Sequence, residues 1–170
     1  MAMGRTPRVR SRDLYTAAER QRRDASPWTL VQGVLAPVQF VIFLGSLALV
    51  LRYLATGEGF LPATASIVLK TAALYAIMVT GSLWEKDVFG RYLFAPAFFW
   101  EDVMSMLVLA LHTAYLAALA TGLLDPTGQM LLALAAYASY VVNATQFLLK
   151  LRAARLQAAL PVAMPAGATP

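Results

Sequence analysis

Apolar residues in this chain gather into four long runs, at about Leu30–Leu54, Ala63–Trp84, Val103–Gly122 and Gln129–Leu149. Each has roughly the 20 residues that a helix needs to cross a hydrocarbon core of about 30 Å. None alternates strictly between apolar and polar positions, whereas a membrane barrel is built from alternating segments of about 10 residues. The pattern predicts an all-α protein, an integral membrane four-helix bundle. Composition agrees: 59% of the 170 residues are hydrophobic and only 14% are charged, too few to cover a globular surface. The mean hydropathy is +0.62.

The first run follows a polar, arginine-rich stretch and lies too far in for a signal-peptide core. No small-residue cleavage site follows it, so it reads as a retained span. Residues 1–28 hold seven arginines against three acids, and Lys150, Arg152 and Arg155 follow the last run. The turns at 55–62 and 123–128 hold no lysine or arginine. Basic residues favour the cytoplasmic side, which places both termini there. The chain then divides into a basic cytoplasmic segment (1–28), a transmembrane domain (29–150) and an unstructured cytoplasmic tail (151–170). The net charge of +5 resides in those flanks, where arginines meet anionic lipid headgroups. No nucleic-acid partner is expected. Cysteine is absent, which excludes disulfides and thiol catalysis.

Shorter features fill in the ends. Leu14–Arg23 reads as an amphipathic surface helix, after a disordered stretch at 1–13. Ser26-Pro27 reads as the start of the first span, with serine capping. Pro37 should kink that span and free the Gly33 carbonyl. Gly57–Pro62 and Leu124–Gly128 read as the outer turns, and the tail from Pro161 as an unstructured end.

Ionisable groups are costly inside a membrane, so those in Trp84–Tyr115 stand out: four of the nine carboxylates and the single histidine. Antiparallel spans bring Gln32, Glu85, Glu101, Asp102, Asn143 and Gln146 to one level at the inner surface. On the third run Glu101, Ser105, Val108 and His112 share a helix face. His112 lies about 16 Å along the axis from Glu101, near the midplane, with Gln39, Tyr75 and Tyr140 at similar depth. Such a stripe suits an inward cavity for an amphiphilic ligand. Structural readings stand beside it. His112 can be packing glue, and Glu101 or Asp102 an N-terminal cap. Glu85-Lys86-Asp87 can be a salt-bridged turn, and Tyr92, Phe94, Phe98, Phe99 and Trp100 an interfacial belt. Lys70 and Arg52 are expected to snorkel outward. The acids and His112 lack metal-site spacing, so no protein-only metal site is expected.

The strings RRDASPWTLVQGVLAPVQF, LYAIMVTGSLWEKDVFG and YLFAPAFFWEDVMSMLVLALHTAYL resemble the vinyl bacteriochlorophyllide hydratase family. The resemblance runs from about Tyr15 to Lys150. It implies a hydro-lyase that adds water to the 3-vinyl group of chlorophyllide a or a bacteriochlorophyllide, giving a 3-(1-hydroxyethyl) group in bacteriochlorophyll biosynthesis. The resemblance implies no redox cofactor, and the substrate macrocycle brings its own magnesium. Protonation of the terminal vinyl carbon calls for a buried carboxylic acid, Glu101 or Glu85, with Asp102 as the base that helps water attack. His112 is then expected to ligate magnesium or bond the macrocycle, with Gln39 and Tyr75 beside it and Lys86 or Arg91 near the propionate. The lipid membrane and other pigment-biosynthesis enzymes are the expected partners. The alternative is a non-catalytic pigment-binding or assembly protein, which needs the histidine but not the acids.

Overall fold

The computed structural model describes residues 14–159. They form five helices and no strand: α1 (Ala17–Ala25), α2 (Pro27–Thr56), α3 (Phe60–Phe89), α4 (Phe99–Thr121) and α5 (Pro126–Ala159). The last four are long and apolar enough to cross a membrane. The expected disorder at 1–13 and the tail from Pro161 lie outside the described residues.

Local chemistry sets the boundaries. Thr16 and Glu19 form a reciprocal capping box that starts α1. Pro27 opens α2, as expected, but Ser26 does not cap it; its hydroxyl donates to Asp87 Oδ2 of α3 at 2.8 Å. Pro37 is accommodated within a continuous α2. The turn between α2 and α3 is shorter than expected, because Gly57 and Gly59 both take left-handed conformations and let α3 begin at Phe60. Asp125 Oδ1 accepts the Gly128 N–H at the start of α5. That helix continues well past the apolar run, so residues 151–159 are helical where an unstructured tail is expected.

Neighbouring helices run antiparallel. The largest seams join α2 to α3 and α4 to α5, with α5 also against α2 and α3 against α4. Polar side chains bond across the seams. Ser46 of α2 bonds both Ser66 of α3 (2.7 Å) and Tyr137 of α5. Gln32 donates to Thr80 Oγ1 at 2.7 Å, and Asn143 donates to Ser105 Oγ at 2.9 Å. Phe43, Ile67, Leu74, Val108 and Tyr115 fill the centre.

Lys70 departs from expectation. It lies on the inward face of α3 with Ala63, Ile67, Thr71 and Leu74 and has no exposed surface. Its Nζ sits 3.9 Å from the centre of the Tyr140 ring and meets no hydrogen-bond acceptor among the described residues. Snorkelling fails because the side chain projects toward α5, not lipid. A buried donor without an acceptor costs about 1–3 kcal/mol, partly offset here by the aromatic face. Lys70→Met is therefore expected to raise stability by about 1 kcal/mol, measured by unfolding in mixed micelles, with hydration activity retained.

Candidate active site

The end of α3 and the start of α4, beside Lys150 of α5, bring together the acids singled out in the sequence. Glu85 lies one turn before the end of α3, and Glu101 and Asp102 lie in the first turn of α4. All three are almost fully buried, with exposures of 5%, 6% and 4%. The carboxyl groups of Glu85 and Asp102 face each other within hydrogen-bonding reach. Glu101 turns the other way and pairs with Lys150 of α5, whose ammonium also bonds the Ala97 carbonyl.

The connection between α3 and α4 closes over the carboxyl pair. Gly90 ends α3 at a φ of 79°, where a glycine is favoured. Phe94 then takes a φ of 59°, uncommon for a bulky residue and costing about 1–3 kcal/mol. That bend turns consecutive amides inward: the Phe94 N–H donates to Asp102 Oδ2 at 2.7 Å and the Ala95 N–H to Glu85 Oε2 at 3.2 Å. A turn at Ala95–Phe98, with Pro96 at its second position, returns the chain to α4. Strain at this point is offset by the two hydrogen bonds it makes to buried carboxyl groups.

Several structural readings of these residues fail. Neither Glu101 nor Asp102 caps α4, whose N-cap is Phe98; their side chains go to Lys150 and to the Glu85 loop instead. Glu85-Lys86-Asp87 is a helix end without a salt bridge among the described residues. Its three side chains meet the Ala95 amide, the Gly90 carbonyl and the Ser26 hydroxyl. Of the expected aromatic belt, Tyr92, Phe94, Phe99 and Trp100 are exposed, but Phe98 is buried among other rings.

The residues expected around a macrocycle do not gather at one place. Lys86 and Arg91 are exposed on the rim of the loop, Lys86 over the Tyr92 ring. Tyr75 bonds Thr113 at 2.8 Å across the α3–α4 seam. Gln39 is buried in α2. His112 has no exposed surface; its Nδ1 donates to the Val108 carbonyl at 2.8 Å and its ring packs against Tyr137. It stands ten residues from Asp102, about 15 Å along α4. Glu101, Ser105, Val108 and His112 are all buried, three of them in contact with α5 through Lys150, Asn143 and Tyr137.

Two contributors escape a reading by residue type. Lys150 serves first as an orientation signal, although it ends the last apolar run at the depth of Glu101. The segment ahead of α2 is the other. Tyr15 is 5% exposed and packs on Phe89 and Phe98, while Arg22 Nε donates to the Val88 carbonyl at 2.8 Å. Burial raises the Tyr15 phenol above its ordinary pKa, against the lowering pull of Arg23, so the group is neutral.

Known proteins place this arrangement. The sequence profile of the 2-vinyl bacteriochlorophyllide hydratase family matches residues 15–153. A 2-vinyl bacteriochlorophyllide hydratase of Cereibacter sphaeroides is 67% identical over 152 residues, 89% of this chain and 94% of that protein. One of Rhodobacter capsulatus is 68% identical over 146 residues, 86% of this chain and 85% of that protein. No solved structure matches. The matched region spans α1 to α5, including the loop, the three acids and Lys150, and the chain belongs to the 2-vinyl bacteriochlorophyllide hydratase family.

Proposed function

We propose that this chain is a hydratase that adds water across the peripheral vinyl group of a chlorophyllide or bacteriochlorophyllide in bacteriochlorophyll synthesis. (The 2-vinyl group of the family name and the 3-vinyl group are one substituent under two ring numberings.) The observation that carries the chemistry is the contact between Glu85 and Asp102, each also held by a loop amide. Two carboxyls this close do not both ionise, so they hold one proton between them. One is then a neutral acid and the other a charged base.

The acid gives its proton to the terminal vinyl carbon, which becomes a methyl group. The cation forms at the carbon next to the ring, where the conjugated macrocycle spreads the charge. Water attacks that carbon and loses a proton to the other carboxylate. One water is consumed and the pair ends with one proton, now on the opposite partner. Glu85 and Asp102 take the two roles, and Glu101, matched in charge by Lys150, stands outside them. The step is redox-neutral and calls for no electron carrier. Lys86 and Arg91 on the loop rim suit the substrate propionate, a role that rests on charge and exposure alone.

In this reading the four long helices form a membrane-spanning bundle with both ends in the cytoplasm, supported by the basic flanks and arginine-free outer turns. The membrane is the inner or intracytoplasmic one of a photosynthetic bacterium. A pigment carrier built on His112 is disfavoured, because that ring is enclosed by protein. Incubating the purified chain with chlorophyllide a in detergent tests the reading. Mass spectrometry should find pigment heavier by one water; pigment bound but unchanged would instead favour the carrier.

A further inference from the structure

The carboxyl pair locates the chemistry, and the rings beside it locate the macrocycle. Trp84 and Phe89 of α3, Phe98 at the start of α4 and Phe147 of α5 form a nest of aromatic contacts with centroids 5.6–5.9 Å apart. Trp84 directly precedes Glu85, and the Phe98 carbonyl accepts the Asp102 N–H at 3.0 Å. The Lys150 ammonium, which pairs with Glu101, lies 4.9 Å from the Phe98 ring centre. The nest and the carboxyl pair therefore share a wall.

A fifth ring lies in the nest from outside the spans. Tyr15 lies nearly parallel to Phe89, at 12° and 5.9 Å, with the Arg23 guanidinium 5.0 Å from its centre. The segment that carries it is lightly held. α1 buries none of its own residues, and besides Tyr15 and the partly buried Leu14 its side-chain ties are three hydrogen bonds, Arg22–Val88, Thr29–Arg23 and Ser26–Asp87. A short polar helix with so few buried contacts is among the first parts of a fold to open. A single planar ring is thus held against permanent aromatic walls, next to acids suited to hydration, by an element that is easily displaced.

We propose that this nest is the binding site for the planar magnesium chlorin, and that Tyr15 occupies it as a stand-in which the macrocycle displaces when residues 14–25 swing aside. The conjugated face of a chlorin is several times larger than a phenol ring, so it regains the aromatic contacts Tyr15 gives up and adds more. Placing the ring there puts its edge beside Glu85 and Asp102. The choice of ligand rests on the hydratase reading; the displaceable ring does not.

A chlorophyllide whose vinyl group has been reduced to ethyl binds without turning over and serves as the probe. Its Kd for the purified full-length chain in detergent can be read from pigment absorbance. Tyr15→Ala is expected to lower Kd by about tenfold, because apparent affinity is reduced by the fraction of molecules with the site closed. Phe147→Ala, which removes a wall, should raise Kd by about tenfold, and Thr121→Ala at the far end of α4 should leave it unchanged. The first variant alters only the displaceable segment, so it remains informative should the second fail to fold. Unchanged or weaker binding by Tyr15→Ala overturns the proposal even where wild-type protein hydrates chlorophyllide. Tighter binding by Tyr15→Ala with no hydration by wild type would keep the site and remove the hydratase reading.

Discussion

Glu85→Gln and Asp102→Asn are each expected to lower the turnover number for vinyl hydration by about 10³-fold, with little change in KM. Either substitution removes one of the two carboxyls that hold the working proton, and positioned acid–base catalysis contributes about 10²–10⁴-fold. The amides of glutamine and asparagine still accept from the Ala95 and Phe94 N–H groups, so the loop stays in place. Because the two carboxyls act as one unit, the double variant should be scarcely slower than either single one. Glu101→Gln, by contrast, should keep most of the activity, since that side chain faces Lys150. Steady-state kinetics on the four proteins checks the assignment. A loss at Glu101 as large as that at Glu85 would return the acid to the position that spacing alone favours equally.

The second large effect concerns stability. Lys150→Met leaves Glu101 buried with its negative charge unmatched, and takes a ligand from the Ala97 carbonyl. Removing one partner of a buried pair costs about 3–5 kcal/mol. Lys150 is partly open to solvent, so on the order of 2–3 kcal/mol is expected here. Pairing it with Glu101→Gln removes the stranded charge and should recover most of that loss. Unfolding in mixed micelles measures all three variants. A Lys150→Met protein as stable as wild type would mean the pair contributes nothing to holding α5 against the start of α4.

Much of this architecture is legible in the residues. Four apolar runs give four helices long and apolar enough to cross a membrane, because the length such a helix needs is a strong signal. Antiparallel counting brings Glu85 to the depth of Glu101 and Asp102, which the structure bears out. The boundaries are less legible, since helices continue where hydropathy stops. α3 runs through Glu85-Lys86-Asp87 because their polar groups find partners in the loop and at Ser26. α5 runs on through Lys150–Ala159, a stretch rich in good helix formers.

The inward face of α3 was readable in principle. Ala63, Ile67, Lys70, Thr71 and Leu74 follow helical spacing, and Lys70 belongs to that stripe, but a lone lysine in a span is more readily taken as snorkelling. What spacing does not carry is the rotation that sends Asp102 to Glu85 and Glu101 to Lys150. Neighbours in sequence point about 100° apart on a helix, and which one meets the loop depends on packing across three helices. The left-handed turn at Phe94 is equally hidden, since nothing about a phenylalanine announces a positive φ. His112 is the converse case. A polar stripe at helical spacing fits a cavity wall and a packed seam alike, and spacing does not carry the contact its ring makes with Tyr137.

The measurement that bears most directly on the Glu85–Asp102 pair is a single-turnover reaction in H₂¹⁸O, run side by side with wild-type protein and Glu85→Gln. Wild-type product should carry one ¹⁸O, at the new carbinol carbon, while Glu85→Gln leaves the vinyl pigment bound and unlabelled on the same timescale. Labelled product formed at equal rates by both proteins would contradict the assignment of the chemistry to this pair.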